Sequence, residues 1–176
     1  MKITETIFGS CYVIEPTSRE DVRGAMEVFY QRDEMKNLLG GFEITEQRIY
    51  KMPRKHTFFG IHYQKRDKAR GKLVTVIQGR GQDYIVDLRE DSPSYKQYKM
   101  IELDEKIPRL VYLPAGFGHA FLSMEDQTIQ MFAIDTCCGT GHSGIVSYRD
   151  SGIQLKLPVS DIILSDYDRN AGDFIQ

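Results

Sequence analysis

Cysteine is scarce, and its count is odd. The chain of 176 residues holds three, Cys11 and the adjacent Cys137 and Cys138, too few and wrongly numbered for a disulfide framework, so a reducing cytoplasm is the expected home. A basic surplus is missing as well: 23 Lys and Arg face 25 Asp and Glu, a formal charge of −2. That excludes a general nucleic-acid binder, whose phosphate contacts need positive excess, while local basic clusters can still hold one or two phosphates. No long apolar run is present, and Met1-Lys2-Ile3-Thr4-Glu5 carries an acid early. Neither a signal peptide nor a membrane-spanning helix is written there, and a soluble, cytosolic protein without membrane contact is expected. Repeats and low-complexity tracts are also lacking.

What is there reads as strands. Apolar and β-branched runs recur at Phe58 to Tyr63, Leu73 to Ile77, Tyr84 to Leu88, Tyr98 to Leu103, Leu110 to Leu113, Ala120 to Met124, Ile129 to Ile134 and Ile145 to Tyr148. Turn-forming connectors separate them: Gly79-Arg80-Gly81, Asp91-Ser92-Pro93-Ser94, Pro114-Ala115-Gly116, Glu125-Asp126 and Gly139-Thr140-Gly141. Long helical crossovers are absent between Phe58 and Tyr148, so the cadence predicts an all-β double-sheet jelly roll or barrel and excludes a βαβ fold. Apolar residues at 41% can fill one core, and residues 1–176 are expected to form one domain. The stretch from Glu20 to Leu39 fits a short helix or a strand. The tail from Leu157 fits a short helix or a packed arm.

Two histidine segments stand out: Gly60-Ile61-His62-Tyr63-Gln64, on an aromatic-rich strand, and Pro114-Ala115-Gly116-Phe117-Gly118-His119, where a rigid turn precedes the imidazole. They resemble the two motifs of cupin barrels, the second complete, the first altered. Gln64 stands where a second histidine would be, and Lys72 near the place of a carboxylate. A cation beside a divalent metal is unfavourable, and two imidazoles fall short of the usual three protein ligands, so no catalytic metal is expected.

Asp21-Val22-Arg23-Gly24, Gly60 to Gln64, Gly71-Lys72-Leu73-Val74, Val86 to Ser94, Pro114 to Phe121 and Leu164-Ser165-Asp166-Tyr167-Asp168 follow one another in order. Together they resemble the dTDP-4-dehydrorhamnose 3,5-epimerase family over nearly the whole chain. The resemblance implies a cofactor-free epimerase of a nucleotide-linked 4-keto-6-deoxy sugar, a cupin-like fold and a homodimer. It also implies roles. His62 is the base that removes a proton beside the ketone, Asp168 its carboxylate partner, and Lys72 the ammonium near the C4 oxygen. Arg23 is a diphosphate clamp, and His119 lines the same pocket toward the diphosphate. Without the family, Arg23 reads as half of a surface ion pair, His119 as a buried hydrogen-bonded histidine, and His56 and His142 as loop residues.

The chain also departs from the family. Phe132 stands at the catalytic tyrosine, and a phenyl ring donates no proton, which favours inversion at C3 alone with water or another group as acid. Phe59 replaces an arginine, Ala25 and Met26 replace aromatics, and Cys137 and Cys138, expected here as packing residues, replace paired tyrosines. Those changes leave room for CDP in place of dTDP, with Glu27 and Gln47 as nucleotide contacts. Three alternatives follow: a full 3,5-epimerase using Tyr63 or Tyr148 as acid, a non-catalytic nucleotide-sugar-binding cupin, and a metal-dependent oxygenase.

Overall fold

In the computed structural model, residues 1–65, 70–136 and 143–174 are described, and the expectations for Cys137, Cys138 and His142 lie outside them. The elements run β1 (Lys2–Ile7), β2 (Cys11–Glu15), β3 (Thr17–Asp21), β4 (Gly24–Val28), α1 (Arg32–Leu38), β5 (Glu46–Met52) and β6 (Phe58–Gln64). After them come β7 (Lys72–Gln78), β8 (Arg80–Asp87), β9 (Tyr98–Asp104), β10 (Leu110–Leu113), β11 (Phe117–Ser123), β12 (Thr128–Ile134), β13 (Ser143–Ile145) and α2 (Asp166–Arg169). A six-stranded sheet in the order β1-β2-β10-β7-β12-β5 faces a five-stranded sheet, β13-β6-β11-β8-β9, and among the described residues β3 and β4 pair only with each other. All strand pairs within these sheets are antiparallel, the double-sheet arrangement that the strand cadence predicts.

Alternation along the strands divides the apolar residues into three layers. Val74, Val76, Ile85, Phe117 and Phe121 meet between the sheets. Leu73 and Tyr112 point the other way, beneath Met35, Leu39 and Phe42 of the α1 segment. Phe58, Ile61, Tyr84, Val86 and Leu122 form the outer face of the five-stranded sheet, covered by Ile153, Leu155 and, farther along, Ile162 and Leu164. Each fully buried Phe or Leu contributes about 2 kcal/mol by leaving water. Covering both faces explains why β8 and β11 read as nearly unbroken apolar runs.

The open question about residues 20–39 resolves into both options, since β4 is extended and α1 is helical with Gln31 as its cap. The tail likewise is an arm ending in a one-turn helix. Its anchorage matters for function. Ile163 bridges to Thr57 in parallel, with the Phe58 N–H donating to the Ile163 carbonyl at 2.9 Å and the Ile163 N–H donating to the His56 carbonyl at 2.8 Å. The chain is thereby fixed at the entrance to β6, five residues before Asp168.

Asp87 ends β8 as a buried anchor. Burial opposes its charge, yet hydrogen bonds from Arg89, Ser92 and Ser94 outweigh burial and hold its pKa at about 2. Arg89 in turn lies over the Phe117 ring, 4.4 Å from its centroid, at the start of the strand that carries His119.

Candidate active site

His62 and His119 are direct cross-strand partners on β6 and β11. Both project between the sheets, because Phe59 and Phe121, on the same face of those strands, pack in the inner layer. Gly116, with φ +95°, makes the turn before β11, and the alternation Phe117, His119, Phe121 then aims the imidazole inward. Gly60 permits the strands to approach. A methyl group there would lie 2.6 Å from the His119 carbonyl oxygen, and its φ of +113° suits glycine.

Asp168 comes from 106 positions away to meet His62, its Oδ1 accepting from Nε2 at 2.7 Å. Ser165 caps α2 and locks the acid by accepting from the Asp168 N–H at 3.0 Å and donating to Oδ2 at 2.5 Å. The Gly60 N–H adds a bond to Oδ1 at 3.2 Å. Burial raises the pKa of Asp168, but the bonds from His62, Ser165 and Gly60 outweigh it, so the carboxyl sits below its usual range and is ionised at neutral pH. An ionised acceptor fixes the proton on Nε2 and leaves the lone pair on Nδ1. Nδ1 is therefore the basic atom of the pair.

A second pair lies alongside. His119 Nε2 donates to Asp83 Oδ2 at 2.6 Å, and among the described residues the other oxygen of this fully buried acid has no hydrogen-bond partner. Lys72, on β7 in the opposing sheet, shares the inward face with Val74 and donates to the His62 carbonyl at 3.5 Å. Burial, reinforced by Arg70 and Arg48 and only partly offset by Asp83, brings the Lys72 ammonium down to about 8. Phe132 faces the same interior from β12, with the Arg48 guanidinium carbon 6.0 Å from its ring centroid.

His62, Asp168, Lys72, His119 and Phe132 are thus brought together. Arg23 and Glu27 are not, since both ride on the β3–β4 hairpin outside the two sheets. Arg23 pairs with Asp21 at 2.5 Å, its side chain 85% exposed at the hairpin tip. Gln47 faces the outer side of the six-stranded sheet, where its amide donates to Met131 Sδ at 3.0 Å. Tyr63 and Tyr148, weighed as replacement acids, pack on the outer face of the five-stranded sheet, Tyr63 edge-on to Phe174 and Tyr148 against Phe58. Both therefore lie on the other side of that sheet from the inward-facing His62 and His119. Asp83, Arg48 and Tyr50 escaped sequence reasoning. For Asp83 a signal existed, a lone acid heading the buried run Tyr84-Ile85-Val86.

A model of the family described as dTDP-4-dehydrorhamnose 3,5-epimerase matches residues 5–176. The chain belongs to that family. A dTDP-4-dehydrorhamnose 3,5-epimerase of Methanothermobacter thermautotrophicus is 31% identical over 174 residues, 96% of this chain and 92% of the relative. The crystal structure of dTDP-4-dehydrorhamnose 3,5-epimerase from Bacillus anthracis with TDP and PPi bound superposes with a TM-score of 0.94 at 32% identity, over 98% of this chain and 99% of that one. ChmJ, a 3'-monoepimerase from Streptomyces bikiniensis in complex with dTDP-quinovose, matches at 25% identity and TM-score 0.87, over 93% of this chain and 83% of that one. The fold is accordingly the cupin-like jelly roll, and this dTDP-4-dehydrorhamnose 3,5-epimerase family member is an isomerase of the cofactor-independent epimerase class.

Proposed function

We propose that this epimerase inverts C3 of a nucleoside-diphospho-4-keto-6-deoxyhexose, dTDP- or CDP-linked, as a cytoplasmic homodimer in deoxysugar or O-antigen synthesis, with residues 1–176 acting as one domain. The observation that carries the reading is the His62–Asp168 pair facing Phe132 across the interior. The C3–H bond breaks, its proton passes to His62 Nδ1, and the electron pair forms an enolate whose charge rests on the C4 oxygen. Asp168 stabilises the resulting imidazolium. Lys72 from the opposite sheet meets the oxyanion, an interaction worth about 3 kcal/mol when one such donor is removed. A new C3–H bond then forms on the other face. Phe132 shapes that wall without donating, which favours one inversion over two.

Arg23 and Glu27 enter through the second protomer. Their hairpin pairs with neither sheet, and Val22 at its tip is fully exposed. A homodimer that seats this hairpin at its partner's active site delivers Arg23 to the diphosphate, which His119 also faces, and Glu27 to the nucleotide. Gln47, on the outer face of the edge strand β5, is assigned to a nucleotide contact across the same dimer interface.

Proton NMR of dTDP- and CDP-4-keto-6-deoxyglucose in deuterated water tests the reading. Loss of the C3 signal alone, abolished in His62→Asn, is the expected result, and the faster substrate names the base. Loss at C3 and C5 together would replace the reading with a 3,5-epimerase. Binding without exchange would replace it with a nucleotide-sugar-binding protein.

A further inference from the structure

With Phe132 silent, the wall facing His62 needs another proton donor, and the placement of the ten tyrosines singles one out. Tyr12 and Tyr112 stack on each other outside the six-stranded sheet, and Tyr30 joins their layer. Tyr63, Tyr84, Tyr98 and Tyr148 belong to the layer outside the five-stranded sheet. Tyr95 lies in the β8–β9 loop beside Lys96. The Tyr167 ring is 6.0 Å from the His62 ring, but it is carried by α2 rather than by either sheet and is largely exposed.

Tyr50 remains. On β5 it pairs with Gln130 of β12, and it shares the inward face with Met52, which is buried in the inner layer, and with Arg48, which pairs with Phe132. It therefore stands diagonally across from the position of the family tyrosine, on the same sheet and the same face. Its ring lies 3.9 Å, centroid to centroid, from Phe59, tilted by 60°, so the phenylalanine that replaces the family arginine supports this ring. We propose that Tyr50 is the general acid that reprotonates C3 on the face opposite His62, held by Phe59.

The assignment rests on the epimerase reading above. In the step, the Tyr50 O–H bond breaks, its proton forms the new C3–H bond, the enolate electrons return to a C4 ketone, and a phenolate is left. Arg48, which pairs with Glu46, is two residues away on the same face. Tyr50 is 45% exposed, so water reloads the phenolate while His62 releases its proton to solvent. Burial first, and the Asp168 charge second, raise its pKa, which keeps the phenol protonated before the step.

The test follows each substrate, dTDP- and CDP-4-keto-6-deoxyglucose, with wild type, Tyr50→Phe, Tyr167→Phe and Tyr50→Phe/Phe132→Tyr in deuterated water. Two quantities are read separately: deuterium entering C3, and the yield of the C3 epimer. Tyr50→Phe should keep deuterium entry, because His62 still removes the proton and returns a deuteron to the same face. It should lower epimer formation by about 100-fold, the scale of a lost general acid. Tyr167→Phe should change neither, and Phe132→Tyr should restore inversion in the Tyr50→Phe background. Retained exchange itself reports a folded site. Unchanged inversion in Tyr50→Phe, loss of exchange together with inversion, or uncoupling by Tyr167→Phe instead would each overturn the assignment. A wild type that exchanges no proton overturns the epimerase reading, and the acid falls with it.

Discussion

Two histidine–aspartate pairs sit side by side on one sheet, bonded through the same ring atom at 2.7 and 2.6 Å, yet they are built for different work. Asp168 receives three donors, from His62, Ser165 and Gly60, whereas Asp83 receives one from His119 and keeps a bare oxygen in a fully buried position. The first imidazole is 34% exposed and the second 12%. A base must reach substrate and shed its proton to water, and its counter-ion must stay ionised and still. Only the His62 pair satisfies all three requirements. Asp83 of the His119 pair bears on Lys72 instead, pulling its pKa upward. Histidine–aspartate geometry alone therefore does not identify a base, and the surroundings of the carboxylate do.

The largest expected effect separates the two rings. His62→Asn should lower kcat by at least about 1,000-fold, and Asp168→Asn by about 100-fold or more, with KM little changed, because in the proposed mechanism both act on the proton in flight. His119→Asn should cost about 10-fold, felt mainly in KM. Steady-state kinetics on the 4-keto sugar read this directly. Equal losses at His62 and His119 would break the comparison.

The second effect links the pairs through Lys72. An ammonium that loses its proton near pH 8 no longer answers the enolate, so kcat/KM should fall as pH rises through about 8. Lys72→Met should cost about 100-fold and remove that limb. Asp83 pulls the Lys72 pKa upward, so Asp83→Asn should move the limb to lower pH while kcat near neutrality falls only a few-fold. A limb that stays in place would mean that Asp83 serves His119 alone.

This division of labour was only partly legible in the sequence. The strands from Phe58 to Ile134 announce themselves because each is covered on one or both faces and bounded by turn residues. β5 does not, since every residue from Gln47 to Lys51 is exposed at the sheet edge and nothing imposes alternation. Arg48 and Tyr50 stayed hidden for that reason. Asp168 could be joined to His62 only through the family resemblance, because a contact across 106 residues leaves no local pattern. The hairpin position of Arg23 had no signal either, since Asp-x-Arg-Gly reads equally as a clamp or as the turn-tip ion pair that it forms in the isolated chain.

The smallest effect concerns stability in acid and sharpens the comparison from the side of the carboxylate. Asp168 is held below its ordinary value of 3.8, so the folded chain prefers it ionised more strongly than the unfolded chain does. The stabilisation this brings is fully present above about pH 4 and is lost as pH falls through the lower, folded-state pKa. Asp87 provides the reference: a carboxyl held at about 2 contributes about 2 kcal/mol above its unfolded value, lost on the way down to pH 2. Melting curves of wild type and Asp168→Asn should therefore differ by a few degrees near neutrality and converge as pH falls from about 4 through the lowered pKa of Asp168. Asp87→Asn should show the same convergence with a larger gap. Curves for Asp168→Asn that run parallel down to pH 2 would mean that its carboxylate is not stabilised by the bonds from His62, Ser165 and Gly60, and the feature that sets the His62 pair apart would be lost.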